Sequence, residues 1–338
     1  MNNRLDSKRK IKSVIQDIYI YVFFLVIVLT FSIIGAAKGA DWFGKGHFLS
    51  KASIVSMSRQ AAPMITLACG FTFIMVAGYM DLSVGSIMSL TQVVYAIVVR
   101  AGAPFIVGLL VAIAVGIVCG LINGLIVGKL RITPVIATLV TMTVFKGIAL
   151  LLVPAGLSAI KSTDTLKMPS WISNYGRGKS LFGLPPAFYV GLAIVFIILI
   201  IQKKTVIGKY SQAIGGNAVS AQLAGINVPK YIMILYAITG ILAAFSGVAQ
   251  CSFNSLGNPL GGDGFETDCI IAVLLGGTAF EGGEGSTFKS VIGAIIVICI
   301  TVGMLTIVDA YYQGFVKGAI LIVAVTLNKL LSKEESMV

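Results

Sequence analysis

The sequence is poor in charged residues and almost without histidine. Only 11% of its 338 residues are Asp, Glu, Lys or Arg, whereas 57% are hydrophobic, and the mean hydropathy is +0.98. This balance excludes an ordinary soluble domain. Because His47 is the single histidine, Ser/His/Asp catalysis and most imidazole-based metal sites are excluded as well.

Cysteines are few, and none follows the CxxC spacing of a metal cluster. All five fall inside apolar segments, so we expect packing residues and no disulfide framework: Cys69, Cys119, Cys251, Cys269 and Cys299. The nucleotide-binding motif GxxxxGK[ST] is also absent, since Ser173 occupies the place of the first glycine before Gly178-Lys179-Ser180. We therefore predict that the chain is not an enzyme and binds no cofactor or metal.

What the sequence does contain is a series of apolar runs close to twenty residues long. Such runs predict an all-α polytopic membrane protein, because a β-barrel would show ten-residue alternating segments. Ten candidate spans follow, and the count is open by about two because the runs that begin at 84 and 266 are short. The runs are 18–37, 55–77, 84–99, 105–127, 133–154, 186–202, 229–252, 266–280, 289–307 and 313–331.

The formal net charge of +12 is scattered through the connections between these runs, without a basic face interleaved with aromatics. The charge therefore predicts orientation in a lipid bilayer and no nucleic-acid partner. One transmembrane domain, 1–338, is expected, with both termini cytoplasmic. Its parts are a basic cytoplasmic N-terminus (1–17), an extracytoplasmic loop (155–185), a cytoplasmic loop (203–229) and a cytoplasmic tail (332–338).

The cytoplasmic loop has too many polar and small residues to lie in hydrocarbon. Within it, Asn217 can cap a short helix that Gly225 ends. A short surface helix with a small-residue face favours docking of another protein, and an ordinary connecting loop is the alternative.

Two glycine-rich breaks interrupt the apolar pattern. In the first, Gly78 to Ser86, Asp81 either caps the third span, lines a solute path or gate, or does both. The second, Gly276 to Ser286, is typical of a hinge, a re-entrant turn or a plain flexible turn. The residues predicted to form the path or gate are Asp81, Leu82, Ser83, Asn123, Gly276, Gly277 and Thr278.

The fourth span carries four glycines at i, i+4 spacing, which predicts close packing of a neighbouring helix: Gly116, Gly120, Gly124 and Gly128. Ionisable residues inside the runs are few, and most lie near span ends: Asp81, Lys146, Asp268, Asp309 and Lys317. Since proton- and sodium-driven carriers ordinarily use such residues, we expect the energy source to be another subunit.

Several of these stretches together resemble the permease subunits of bacterial ABC importers of the ribose, xylose, galactose and autoinducer-2 type. The resemblance covers about residues 50–330 in the family's order. It rests on Gly78-Tyr79-Met80-Asp81-Leu82-Ser83-Val84-Gly85, Asn123-Gly124 with Thr133-Pro134-Val135-Ile136-Ala137-Thr138-Leu139, Gly208-Lys209-Tyr210 with Ala213-Ile214-Gly215-Gly216-Asn217 and Ala224-Gly225-Ile226, and Leu275-Gly276-Gly277-Thr278 with Gly282-Gly283-Glu284-Gly285-Ser286.

The resemblance implies a permease in the bacterial inner (plasma) membrane that carries a monosaccharide or small neutral polyol, ribose-like in the first place. It also implies its partners: a second permease copy, identical or not, an extracytoplasmic solute-binding protein, and a cytoplasmic ABC ATPase, often a fused tandem, that holds ATP and Mg. The residues implied in ATPase coupling are Ala213, Ile214, Gly215, Gly216, Asn217, Ala221, Ala224, Gly225 and Ile226. Autoinducer-2 or a nucleoside is the alternative solute, and a secondary carrier or facilitator working without an ATPase is the alternative class.

Overall fold

The computed structural model describes residues 2–37, 47–153, 166–305 and 311–333, and most of this part of the chain is helical. In chain order the helices are α1 (Asn2–Ala37), α2 (Lys51–Val76), α3 (Val84–Arg100), α4 (Phe105–Gly124), α5 (Pro134–Leu152), α6 (Ser173–Arg177), α7 (Pro186–Lys204), α8 (Val206–Gly216), α9 (Ala218–Leu223), α10 (Val228–Asn254), α11 (Phe265–Leu275), α12 (Thr287–Leu305) and α13 (Tyr311–Lys333). The predicted residue Asp309, the loop residues up to 165 and the tail from 334 lie outside the described residues.

Each of the ten apolar runs overlaps one of these helices, while α6, α8 and α9 belong to connections. Within the described residues, seven helical stretches are long and apolar enough to cross a membrane: Ile18–Ala37, Lys51–Val76, Phe105–Lys129, Pro134–Leu152, Pro186–Lys204, Val228–Asn254 and Thr287–Leu305. The helix α3 and the apolar part of α13, Tyr312–Val323, are shorter, and α11 has 11 residues. The chain is thus an all-α, multi-pass membrane protein with broken segments.

The helices α2 and α10 pack against each other at the centre of the bundle, and together with α12 they are the most buried of the long helices that the structure describes. Hydroxyl groups join them: the Thr239 side chain donates to the Gly70 carbonyl at 3.2 Å, and the Ser246 side chain donates to the Pro63 carbonyl at 2.8 Å. Such hydrogen bonds are typical of membrane helices, since lipid offers polar groups no alternative partner.

The four spaced glycines of the fourth span lie against α10. A methyl group on Gly124 would lie 2.6 Å from Cα of Met233, and one on Gly128 would lie 3.0 Å from the Pro229 carbonyl oxygen. Gly120 and Gly116, one and two turns before Gly124, meet backbone atoms of α10 still more closely. The last of these glycines falls in a π-helical turn, Leu125–Lys129, that extends α4. The two backbones therefore pack almost in contact, with no space for side chains between them.

Two connections fold back into the bundle. After α10 ends, Ser255 adopts a left-handed conformation, and strand β2 (Leu256–Gly257) pairs antiparallel with strand β1 (Leu166–Lys167). The chain then runs beside α3, where the Gly262 N–H donates to the Ser89 hydroxyl at 2.9 Å. The short helix α11 starts from this inserted segment, which we call the 258–264 segment. Protein covers Pro259 and Gly262 of this segment, whereas Asp263 and Gly264 at its end are exposed.

Candidate functional site

Glycines from three distant connections meet at one end of the bundle. Gly215 in α8 lies against the carbonyl oxygen of Val76, the last residue of α2, and against the amide nitrogen of Gly283. The Gly283 N–H itself donates to the Val76 carbonyl at 2.8 Å. A methyl group on Gly282 would lie 2.6 Å from the amide nitrogen of Gly78. We call Gly78, Gly215, Gly282 and Gly283 the glycine junction.

Only glycine suits these positions. Gly78, Gly282 and Gly283 have φ angles of +81°, +92° and +85°, in the left-handed region that side chains disfavour. Gly215 is helical, but a side chain there would enter the Val76–Gly283 contact. The junction thus ties the end of α2 and the α11–α12 connection directly to α8.

The residues predicted to couple to an ATPase lie in α8, in α9, at Asn217 between these helices, and in the three residues that follow α9. Ile214 and Ala221 are buried in the bundle, Gly215 and Ile226 are half-buried, and the remainder are exposed: Ala213, Gly216, Asn217, Ala224 and Gly225. Asn217 caps α9, because its side-chain oxygen accepts the Ser220 N–H at 2.8 Å. The chain leaves α9 through Gly225 at a φ of +89°.

The outer face of α9 carries two apolar side chains that the sequence reasoning did not single out. Val219 is 69% exposed and Leu223 is 85% exposed. Because they lie four residues apart, they project from one face of the helix, while Ala221 faces the bundle. We call these two residues the α9 ridge. In the sequence, the signal that would have indicated this ridge is the i, i+4 spacing of Val219 and Leu223 on either side of Ala221.

Asp81 and its neighbours form a buried hydrogen-bond cluster. The Asp81 carboxylate accepts the Ser83 N–H at 2.9 Å and the Ser83 hydroxyl at 2.6 Å. The Asn123 amide of α4 donates to the Ser83 hydroxyl at 2.7 Å. The next residue, Leu82, donates its backbone N–H to the Thr138 hydroxyl of α5 at 3.1 Å. The cluster therefore satisfies polar groups where α3 begins and joins α3 to α4 and α5.

All side chains of this cluster are fully buried: Asp81, Ser83, Asn123 and Thr138. Gly276 and Gly277 lie at the end of α11, where a methyl group on Gly276 would be 2.7 Å from Cα of Ser290 and Gly277 has a φ of +77°. Thr278 follows them and is buried too. The structure thus buries most of these residues, with Gly277 exposed, and a role in the path or gate stays a prediction.

Two lysines inside predicted spans form ion pairs with the 258–264 segment and the helix after it. Lys146 of α5 lies 2.6 Å from Asp263, and Lys317 of α13 lies 2.8 Å from Asp268. The sequence reasoning noted three of these residues as intramembrane charges but did not pair them, and it passed over Asp263. Both acids lie at the edge of a polar cavity between α2, α10, α11, α12 and α13.

Fold and site together define a multi-pass membrane protein whose bundle presents an exposed helical connection at one end and contains a charge-lined cavity nearer the other. The chain belongs to the family of branched-chain amino acid transport system permease components, whose model matches residues 53–325. This membership confirms the transport class that the sequence motifs indicated.

Three relatives illustrate how far the similarity extends. The ribose import permease protein of Bacillus subtilis is 35% identical over 285 residues, which cover 83% of this chain and 86% of that protein. The ribose import permease protein of Escherichia coli K12 is 32% identical over 83% of this chain and 87% of that one. The D-allose transport system permease protein of Escherichia coli K12 is 31% identical over 85% and 86%. No solved structure matches the chain.

Proposed function

We propose that the chain is the membrane permease of an ABC importer for a monosaccharide, with a ribose-like sugar as the first candidate. Two of the relatives above carry names as ribose import permeases and one as a D-allose permease. A path for neutral polyols needs few fixed charges, and only 11% of this chain is charged. The chain performs no chemistry itself: an ABC ATPase bound to it would hold ATP and Mg.

The α9 ridge is the observation that carries this proposal. A solvent-facing Val219–Leu223 pair has no packing role within the described chain, whereas burying two such side chains in a partner would contribute about 3–5 kcal/mol. Behind the ridge, α8 is held by the glycine junction against α2 and the α11–α12 connection. A partner that displaces α8–α9 therefore acts on elements in the interior of the bundle. Such a displacement can shift a two-state equilibrium between outward-open and inward-open forms.

The position of α8 and α9 also supports an orientation of the protein in the membrane, with this end of the bundle on the cytoplasmic side. The α8–α9 connection is flanked by exposed Lys203, Lys204 and Lys230, which favours the cytoplasmic side. With this end inside, the 166–185 connection faces outward, and its Phe182 is 83% exposed. We propose that a solute-binding protein docks there, that a second permease copy completes the channel in the bacterial inner membrane, and that both termini are cytoplasmic.

Reconstitution tests the proposal. The permease, a co-encoded ATPase and a co-encoded binding protein are inserted into liposomes, and uptake of labelled D-ribose is measured with and without ATP. We expect uptake only when all components and ATP are present. Equal flux by the purified chain alone would identify a secondary carrier or facilitator. A third outcome is ATP hydrolysis that the binding protein stimulates, with uptake of autoinducer-2 or a nucleoside and no uptake of sugar. This outcome would replace ribose as the solute, while the chain would still be an ABC importer permease.

A further inference from the structure

A cavity of about 590 Å³ opens between α2, α10, α11, α12 and α13. Its size lies within the range of roughly 300–1,000 Å³ that small-molecule sites occupy. Amides, hydroxyls and charged groups line much of it, together with two aromatic rings. The polar lining includes Gln60, Gln250, Thr267, Asp268, Gln313 and Lys317. These polar groups inside a membrane bundle need water or a polar solute, because lipid chains satisfy none of them.

The charges make a lipid-filled cavity still less favourable. The Lys317–Asp268 side chains are 21% and 17% exposed, and those of Lys146–Asp263 are 34% and 43% exposed. Charged groups at this depth ordinarily face a bundle interior or a water-filled space. Each lysine has a carboxylate partner, so the two pairs add no net charge. Neutral, hydroxyl-rich solutes therefore match the lining better than ions do.

The cavity lies far from the α9 ridge. Along α2, the cavity residue Met64 precedes Val76 of the glycine junction by twelve residues, about 18 Å of helix. At the other end, Arg59, beside the cavity residue Gln60, donates to the Arg177 carbonyl of the 166–185 connection at 3.1 Å. The side chain of Arg177 also donates to the carbonyl of Phe253, another lining residue. The cavity thus adjoins the connection proposed to receive the binding protein.

Two glycines of α13 keep the cavity wide. Gly314 and Gly318 both line it, and a methyl group added to either would meet no atom within 4 Å. Gly318 belongs to the stretch Phe315-Val316-Lys317-Gly318-Ala319-Ile320-Leu321, which resembles Val144-Phe145-Lys146-Gly147-Ile148-Ala149-Leu150 of α5. In both stretches the lysine pairs with an acid at or just after the 258–264 segment.

We propose that this cavity binds the sugar on its way through the permease, with Gln250, Gln313 and the Lys317–Asp268 pair as hydrogen-bonding groups. The assignment rests on the proposed function. Amide and carboxylate groups supply acceptors, and amide and ammonium groups supply donors, which is the mixture that sugar hydroxyls need. The rings of Phe253 and Phe265 offer apolar surface for the C–H face of the sugar ring.

The first experiment asks whether water and sugar enter the cavity. All five native cysteines of this chain are buried, so a Gln313→Cys variant adds one accessible thiol to each permease chain, and an importer without the substitution gives the background labelling of the partner subunits. A membrane-impermeant thiol reagent should label this variant and leave Ile322→Cys, on an exposed apolar face of the same helix, unlabelled. D-ribose at high millimolar concentration should slow the labelling severalfold, and a non-binding osmolyte should not. An unlabelled Gln313→Cys, or one that ribose does not protect, would overturn the assignment.

In the second experiment, one substitution fills the cavity and another removes a hydroxyl group from its lining. Gly318→Leu should reduce ribose uptake at least tenfold while membrane insertion and ATP hydrolysis stimulated by the binding protein persist. Thr301→Val should lower uptake severalfold, and the matched Thr143→Val should not. Both hydroxyls donate to a carbonyl of their own helix, but only Thr301 lines the cavity.

These outcomes separate the two proposals. If the wild-type complex imports ribose and Gly318→Leu imports it equally well, the cavity assignment fails and the proposed function stands. If the wild-type complex imports no sugar under ATP, the proposed function fails first.

Discussion

Gly215 offers the sharpest test of how the surface helices communicate with the bundle. A Gly215→Ala substitution adds one methyl group, which would overlap the Val76 carbonyl oxygen and the Gly283 amide nitrogen. These two atoms are joined by the 2.8 Å hydrogen bond of the glycine junction. Neither is the end of a flexible side chain, so α8 must move away from α2 by roughly 1 Å.

Gly216, the next residue, provides the matched control. A methyl group there would meet no atom within 4 Å. Both substitutions introduce alanine near the end of α8 and share the same gain in helix propensity, at most about 1 kcal/mol. The difference between them therefore isolates the steric overlap. Inserting a methyl group into a packed contact costs about 1–3 kcal/mol, which corresponds to a change of about 5- to 150-fold in a coupling equilibrium.

The assay is the number of ribose molecules imported per ATP hydrolysed by the reconstituted complex. We expect Gly215→Ala to lower this ratio at least fivefold, because the displaced α8 no longer transmits ATPase closure to α2. Gly216→Ala should leave the ratio unchanged. Size-exclusion chromatography of both complexes controls for assembly. The proposal that the glycine junction transmits ATPase closure through its contacts would be refuted if Gly215→Ala kept the wild-type ratio. It would also be refuted if Gly216→Ala lowered the ratio equally.

Three further predictions concern the ridge, the buried cluster and the helix packing. Leu223→Asp should weaken ATPase binding about 10- to 100-fold, the loss expected for one buried leucine, as measured by titration in detergent; unchanged affinity would remove the ridge from the interface. Asp81→Asn should keep a folded yield near wild type while Asp81→Leu loses several kcal/mol of stability, since Leu leaves the Ser83 donors unpaired; equal thermal midpoints would contradict this. Gly120→Ala should be about 1–3 kcal/mol less stable than Gly147→Ala, which has open space, in thermal unfolding monitored by chromatography; the reverse order would argue against backbone contact.

Local features were predictable because their causes are local. The Asn217 cap and the short helix behind it follow from residue types a few positions apart. The apolar runs predicted the helices for the same reason, since burial in lipid depends on a continuous stretch of about 20 residues. The shortness of α11 was less evident, because the apolar run at 266–280 continues past Leu275, whereas the helix ends before Gly277 adopts its left-handed conformation.

Contacts between segments that are far apart in the sequence could not be predicted from hydropathy or local residue patterns. The run of acids and glycines at 258–268 gave no sign that it would fold back beside α3 and pair with lysines of α5 and α13. Hydropathy assigns Lys146 and Lys317 to separate spans and does not indicate which acid each one meets. For the same reason the α9 ridge went unnoticed, since exposure depends on what covers a helix face.

Composition and periodicity by themselves established a multi-pass helical membrane protein, because insertion in a bilayer is decided by the hydropathy of each segment alone. Tertiary structure alone decided that Gly78, Gly215 and Gly282 meet and that a polar cavity lies between α2 and α13. Both features depend on how helices cross and pack, and packing is a property of side-chain shape across segments that are far apart along the chain.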